Sequence, residues 1–183
     1  VKNDTIEKMR EYTEYIKQVS NTPIDVHLMV DNIEPYLKEY VDMEVQAIIF
    51  HIESCKNEEE ALKWISYLKE NNIKVGITLK PKTKIEDIYK YIPYIHKVLV
   101  MSVEPGKGGQ EFMPEAIEKI KKLNNFIYEN GFEVDIEVDG GINDKTANQT
   151  IEAGVNILVA GNYIAKAENF KQAIDSIKQK SNN

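Results

Sequence analysis

The stretch KVLVMSVEPGKGGQ, residues 97–110, runs from a short apolar segment straight into a glycine-rich loop. Lys97 to Val103 reads as a strand buried on both faces, because its apolar residues do not alternate with polar ones. Its C-terminal end carries Met101, Glu104 and the loop Pro105-Gly106-Lys107-Gly108-Gly109-Gln110. The pattern recurs on both sides of it. IDVHLMV (24–30) carries His27 and Met29, and VQAIIFH (45–51) ends at His51 with Glu53 just beyond. IKVGITL (73–79) is another apolar strand, VDIEVD (134–139) ends in Asp139-Gly140-Gly141, and residues 156–160 end in Ala160-Gly161-Asn162.

Helical spacing fills the intervals. Ile6, Met9, Tyr12, Ile16 and Val19 recur at helical steps, and Asn57 is placed to cap a helix reaching Glu70. Helices are also predicted over 33–40, 85–92, 114–128, 144–153 and 169–180, with Gly131 and Gly154 as stops. The tally is six strands and seven helices in steady alternation, which indicates a parallel sheet covered by helices. An open dinucleotide-binding sheet would place a GxGxxG turn after its first strand, and none is present. Polar and glycine-rich ends on many strands instead describe the top face of a (β/α)8 barrel. Gly140-Gly141 and Gly161-Asn162 fit its phosphate corner, where glycines let backbone N–H groups approach an anion near a short helix.

Composition narrows the classes of function. The chain has 183 residues, 42% hydrophobic and 29% charged, with a formal net charge of -7. That balance suits a folded single domain over 1–183 and disfavours nucleic acid as a partner. The one cysteine, Cys55, excludes a disulfide framework within the chain and any multi-cysteine zinc site. No apolar run approaches the ~18 residues of a membrane span. The expected setting is the cytoplasm, with no membrane partner.

The strings DVHLMV (25–30), VMSVEPGKGGQEF (100–112), EVDGGI (137–142) and VAGN (159–162) resemble the ribulose-phosphate 3-epimerase family, in order and spacing over essentially the whole chain. The resemblance implies a (β/α)8 barrel that epimerises C3 of D-ribulose 5-phosphate to D-xylulose 5-phosphate, a step of the pentose phosphate pathway. It implies one divalent metal (zinc, iron, manganese or cobalt) held by two His and two Asp, the Asp pair also moving protons. On that likeness His27 is a metal ligand and substrate contact. Asp139 is both a metal ligand and the catalytic acid–base. Met29 and Met101 wall the substrate, Gly106, Lys107, Gly108 and Gly109 form the covering loop, and Gly140, Gly141, Gly161 and Asn162 grip the phosphate.

The chain also departs from the family pattern. It has no His-x-Asp-x-Met-Asp-Gly string, which in the family carries the other metal His and the other catalytic Asp. The expectation is a barrel with six of its eight strands, N-terminally truncated, whose exposed sheet edge would favour a homo-oligomer. Lys107 stands where an aromatic residue is usual, Asn162 where Ser is usual, and Lys80-Pro81-Lys82-Thr83 replaces Asn-Pro-Gly-Thr.

Epimerisation beside a carbonyl removes a proton from one face of a carbon and returns one to the other, through an enediolate. Read alone, His27 is an ordinary strand-end histidine, Asp139 as readily a turn former before Gly-Gly as a catalytic group, and the two methionines core residues. The joint motifs carry the functional reading. His51 reads as structural support, His96 and Lys119, Lys121 and Lys122 as surface, and Cys55 as incidental. Two alternatives remain: an allulose-6-phosphate 3-epimerase, and an inactive barrel remnant that binds sugar phosphate.

Overall fold

The computed structural model describes residues 3–178. The elements are α1 (Asn3–Val19), β1 (Asp25–Leu28), α2 (Glu34–Asp42), β2 (Ala47–His51), α3 (Glu58–Glu70), β3 (Lys74–Leu79), a 3-10 helix (Ile85–Tyr94), β4 (Lys97–Met101), α4 (Glu115–Asn130), β5 (Asp135–Asp139), α5 (Thr146–Ala153), β6 (Ile157–Val159), α6 (Gly161–Ala165) and α7 (Phe170–Lys178). Gln179 and Lys180, the end of the last predicted helix, lie outside the described residues. Strand order follows chain order. The chain divides into two compact units, Val1–Ile77 and Thr78–Asn183.

In the first unit β1 pairs parallel with β2, His27 opposite Ile49. Every residue of β2 is buried, as its unbroken apolar run requires. Helix α3 covers the strands with Ala61, Trp64, Ile65 and Leu68. Asn57 caps it: its side-chain oxygen accepts the Glu60 N–H at 2.9 Å, and Glu60 accepts the Lys56 N–H at 2.6 Å. Helix α1 departs from its sequence pattern. Met9, Tyr12, Ile16 and Val19 are exposed, and Thr13 is the one buried residue between 5 and 19. Arg10 bridges to Glu39 of α2 at 3.2 Å.

In the second unit β4, β5 and β6 pair in parallel, setting Met101 opposite Asp139 and Asp139 opposite Val159. Gly131 ends α4 in a left-handed conformation, as predicted. The predicted helix at 85–92 is a 3-10 helix instead, running to Tyr94 with Pro93 inside it. Its buried residues are Ile85, Ile88, Tyr91 and Ile92, and Pro93 has no N–H with which to close an α-helical turn onto Tyr89. Helix α5 starts two residues later than predicted. Asn143 accepts the N–H groups of Lys145 (2.9 Å) and Thr146 (3.1 Å), which holds residues 143–145 in a capping turn.

Lys119 is not a solvated surface lysine. Its ammonium donates to the carbonyls of Pro81 at 2.8 Å and Thr83 at 2.7 Å, with Lys80 O at 3.3 Å, pinning the turn after β3. Lys121 meets only an exposed carboxylate one turn away, Glu118. Charge-assisted bonds to partly buried carbonyls outweigh an exposed ion pair. Lys119→Met will therefore lower unfolding free energy by about 1–2 kcal/mol, and Lys121→Met by less than about 0.5 kcal/mol, read from urea midpoints.

Candidate functional site

Each unit assembles a group of the expected residues at the C-terminal ends of its strands. In the first, His27 sits near the end of β1 and His51 at the end of β2. Their Nε2 atoms are 3.1 Å apart and the rings stack at 5.1 Å. One ring must donate and the other accept. His51 is 4% exposed, and its Nδ1 lies 3.5 Å from a Glu53 carboxylate oxygen. At that distance the contact is electrostatic and not a hydrogen bond. Sequence reasoning placed His51 as structural support and did not foresee direct contact with His27. Parallel pairing supplies the signal: with His27 opposite Ile49, His51 stands two residues further along the neighbouring strand, on the same face.

Met29 follows β1 and lines a cleft of about 260 Å³ with Ile6, Asp31, Asn32 and Tyr36 among its walls. Ser54 donates to Val30 O at 2.7 Å and so fixes that wall. Cys55 is half-buried. Burial first, and the Glu60 carboxylate second, push its thiol up to about 12 from an ordinary 9.0. It is not a nucleophile at neutral pH.

The second unit brings together Met101, Asp139, Gly140, Gly141 and the ends of the 104–112 loop. Met101 is buried and level with half-buried Asp139. Ser102, 0% exposed, donates its backbone N–H to Asp139 O at 2.9 Å. Its hydroxyl lies 2.7 Å from Gly140 O and 3.0 Å from Asp139 O. Sequence reasoning assigned Ser102 no role. Gly140 and Gly141 both have positive φ, +127° and +64°. A Cβ on Gly140 would meet Val103 Cγ2 at 2.6 Å, and one on Gly141 would meet the backbone nitrogen of Phe112 at 2.5 Å. No side chain fits at either position.

Within the loop, Gln110 donates to the carbonyls of Glu104 at 2.6 Å and Lys107 at 2.7 Å. Asn162 reaches the loop from α6: a Cβ on Gly109 would lie 2.8 Å from its Nδ2, and one on Gly108 3.7 Å. Lys107 and Gly106 are exposed, and around Gly161 and Gly106 a Cβ would meet nothing within 4 Å. Lys97 and Glu137 form a buried ion pair at 3.4 Å, another feature that strand patterning hid.

Among the described residues no group of three or more His, Cys, Asp or Glu could hold a metal ion. Two donors of the implied set, His27 and Asp139, are fewer than the three protein ligands even an open catalytic zinc site uses. The residues present do not by themselves fit the metal that the resemblance implies.

The sequence profile of the ribulose-phosphate 3 epimerase family matches residues 1–165. The chain belongs to this family. A ribulose-phosphate 3-epimerase of Methanocaldococcus jannaschii is 36% identical over 165 residues, covering 90% of this chain and 68% of that protein. Proteins of the same name from Bacillus subtilis (35%) and Helicobacter pylori (37%) each match 90% of this chain and 75% and 74% of their own lengths. The family is one of enzymes, epimerases acting on carbohydrates. Among solved structures, a tryptophan synthase complex from Pyrococcus furiosus superposes with a TM-score of 0.66 at 16% identity, covering 93% of this chain and 72% of that one. The tryptophan synthase alpha subunit of Campylobacter jejuni gives 0.59 at 16%, covering 94% and 69%. These likenesses show the fold alone: a (β/α) barrel fold, with six strands in this chain. No helix of the described residues is long and apolar enough to cross a membrane.

Two measurements check this geometry. Gly141→Ala will cost about 2–4 kcal/mol, from left-handed strain plus overlap with Phe112, while Gly161→Ala stays within about 0.5 kcal/mol, both read by urea unfolding. Iodoacetamide will alkylate Cys55 slowly at pH 8 and quickly once urea unfolds the chain. The folded thiol holds its proton above the ordinary 9.0, so its contribution to stability is full below pH 9 and is lost as pH rises from 9 towards about 12.

Proposed function

We propose that this chain carries the C3 epimerase chemistry of its family on D-ribulose 5-phosphate, with Asp139 as a proton carrier. The observation that carries the reading is Asp139 itself. It stands at the C-terminal end of β5, level with Met101, and is followed by two glycines that close packing demands. The first step takes the proton from C3 and leaves an enediolate; the second returns a proton to the opposite face. A carboxylate within reach of C3 can serve one of those faces.

The other assignments are proposals of the same standing. Met29 and Met101 wall the substrate with polarizable, water-excluding side chains. Gly140, Gly141, Gly161 and Asn162 hold the phosphate, and Gly106 to Gly109 cover it. His27 is proposed as a substrate contact and metal ligand. In the family reading a divalent metal stabilises the enediolate when bound. The steps here use only the chain's own groups, because two donors do not make a metal site. The single half-buried cysteine supports a reducing, cytoplasmic setting.

A second reading rests on a specific count. The chain matches one of the two proton-carrying Asp residues, which favours sugar-phosphate binding with one-sided proton transfer for these 183 residues taken alone. Incubating the polypeptide with ribulose 5-phosphate in D2O separates the two. Loss of the C3 proton signal without xylulose 5-phosphate supports one-sided transfer, whereas fast xylulose 5-phosphate formation establishes full epimerase activity. Asp139→Asn will slow exchange at least ~100-fold with the circular dichroism spectrum unchanged. Exchange at the wild-type rate would remove Asp139 from the chemistry. Allulose 6-phosphate assayed in parallel fixes the substrate.

A further inference from the structure

We propose that Ser102 is a positioning residue: its hydroxyl aims the Gly140 and Gly141 N–H groups and couples them to the 104–112 loop. The proposal deepens, and rests on, the reading of Gly140-Gly141 as a phosphate grip.

Ser102 is 0% exposed and is tied to two segments distant in sequence. Its N–H donates to Asp139 O at 2.9 Å, and its own carbonyl accepts the Met113 N–H at 2.8 Å. Its hydroxyl has one proton to give. The 2.7 Å approach assigns that proton to Gly140 O, with Asp139 O at 3.0 Å as the secondary acceptor. In a trans peptide the C=O and the following N–H point in opposite directions, and the chain has no cis peptide bond among its described residues. Drawing Asp139 O and Gly140 O towards Ser102 therefore turns the N–H groups of Gly140 and Gly141 to the other side. Consecutive N–H groups held in this way form an anion-binding concavity.

The loop is joined to the same point. Phe112 lies against Gly141 so closely that a Cβ there would be 2.5 Å from its nitrogen, and the next residue, Met113, bonds to Ser102. Removing the hydroxyl leaves Gly140 O buried without this donor. The segment can recover a partner only by rotating its peptides, which moves the N–H groups and the end of the loop together.

Wild-type chain, Ser102→Ala and Ser102→Thr are compared by calorimetric titration with ribulose 5-phosphate. Tryptic cleavage after Lys107 in the ligand-free proteins is measured alongside, with cleavage after exposed Lys171 as control. Ser102→Ala is expected to bind ribulose 5-phosphate ~10-fold more weakly and to be cut after Lys107 ~5-fold faster, while Ser102→Thr, which keeps the hydroxyl, stays within ~2-fold of wild type. A merely structural role would lower the melting temperature and leave affinity per folded molecule unchanged, and that result overturns the proposal. So does a Thr variant as impaired as Ala. If Ser102→Ala does not fold, Ser102→Cys replaces it, and wild-type affinity in that variant counts against the hydroxyl. A wild-type chain that binds no ribulose 5-phosphate removes the phosphate grip and overturns the aiming of the N–H groups. Faster Lys107 cleavage in Ser102→Ala then upholds the coupling to the loop, and an unchanged rate overturns that as well.

Discussion

The backbone of Gly140 and Gly141 runs so close to Val103 and Phe112 that neither position can hold a Cβ. Much of the second unit follows from that approach. It requires β4 and β5 to end level, which their parallel register achieves by setting Met101 opposite Asp139. It requires the loop after β4 to return to the same point, which the Met113 N–H bond to Ser102 O achieves. It also anchors α5. Gly141 O accepts from the Thr146 hydroxyl at 2.9 Å and from the Asn143 amide at 3.2 Å, so the residues that cap the helix also hold the diglycine turn. Asp139, the end of the 104–112 loop and the start of α5 thus share a few hydrogen bonds.

The first unit solves a similar problem with aromatic nitrogen chemistry. One strand ends in His51 and its neighbour carries His27 near its end, and pairing brings the rings to 3.1 Å between nitrogens. Glu53, placed by the short turn after β2, brings a carboxylate oxygen to 3.5 Å from the other nitrogen of the buried His51 ring. The residue that meets substrate in the family reading thus has its ring against one that does not.

Family membership and residue count pull in different directions. The profile match and the 35–37% identities place the chain among the ribulose-phosphate 3-epimerases. The side chains that match the implied ligand set are fewer: one His and one Asp, and no group of three or more His, Cys, Asp or Glu among the described residues could hold a metal ion. Fold likeness survives at 16% identity to proteins named for quite different chemistry, so the scaffold alone says little about turnover.

The sequence by itself determined the order of strands and helices, the stops at Gly131 and Gly154, the cap at Asn57 and the candidate residues at the strand ends. These depend on local chemistry: an apolar run, a backbone that needs positive φ, a side chain within three residues of the N–H it caps. It also identified the diglycine and the glycine loop, because glycine leaves a signature wherever backbone must come close. Only the tertiary structure decided which distant partners those residues meet. Ser102 had no role in the strand pattern until Asp139 and Gly140 were beside it. His51 was a supporting residue until its ring faced His27, and Lys119 a surface charge until the carbonyls of residues 80–83 surrounded its ammonium. Helix α1 is the converse case, with a clear apolar period whose Met9, Tyr12, Ile16 and Val19 stay exposed. Periodicity records what a helix can bury, and only the packing of the chain settles what it does bury.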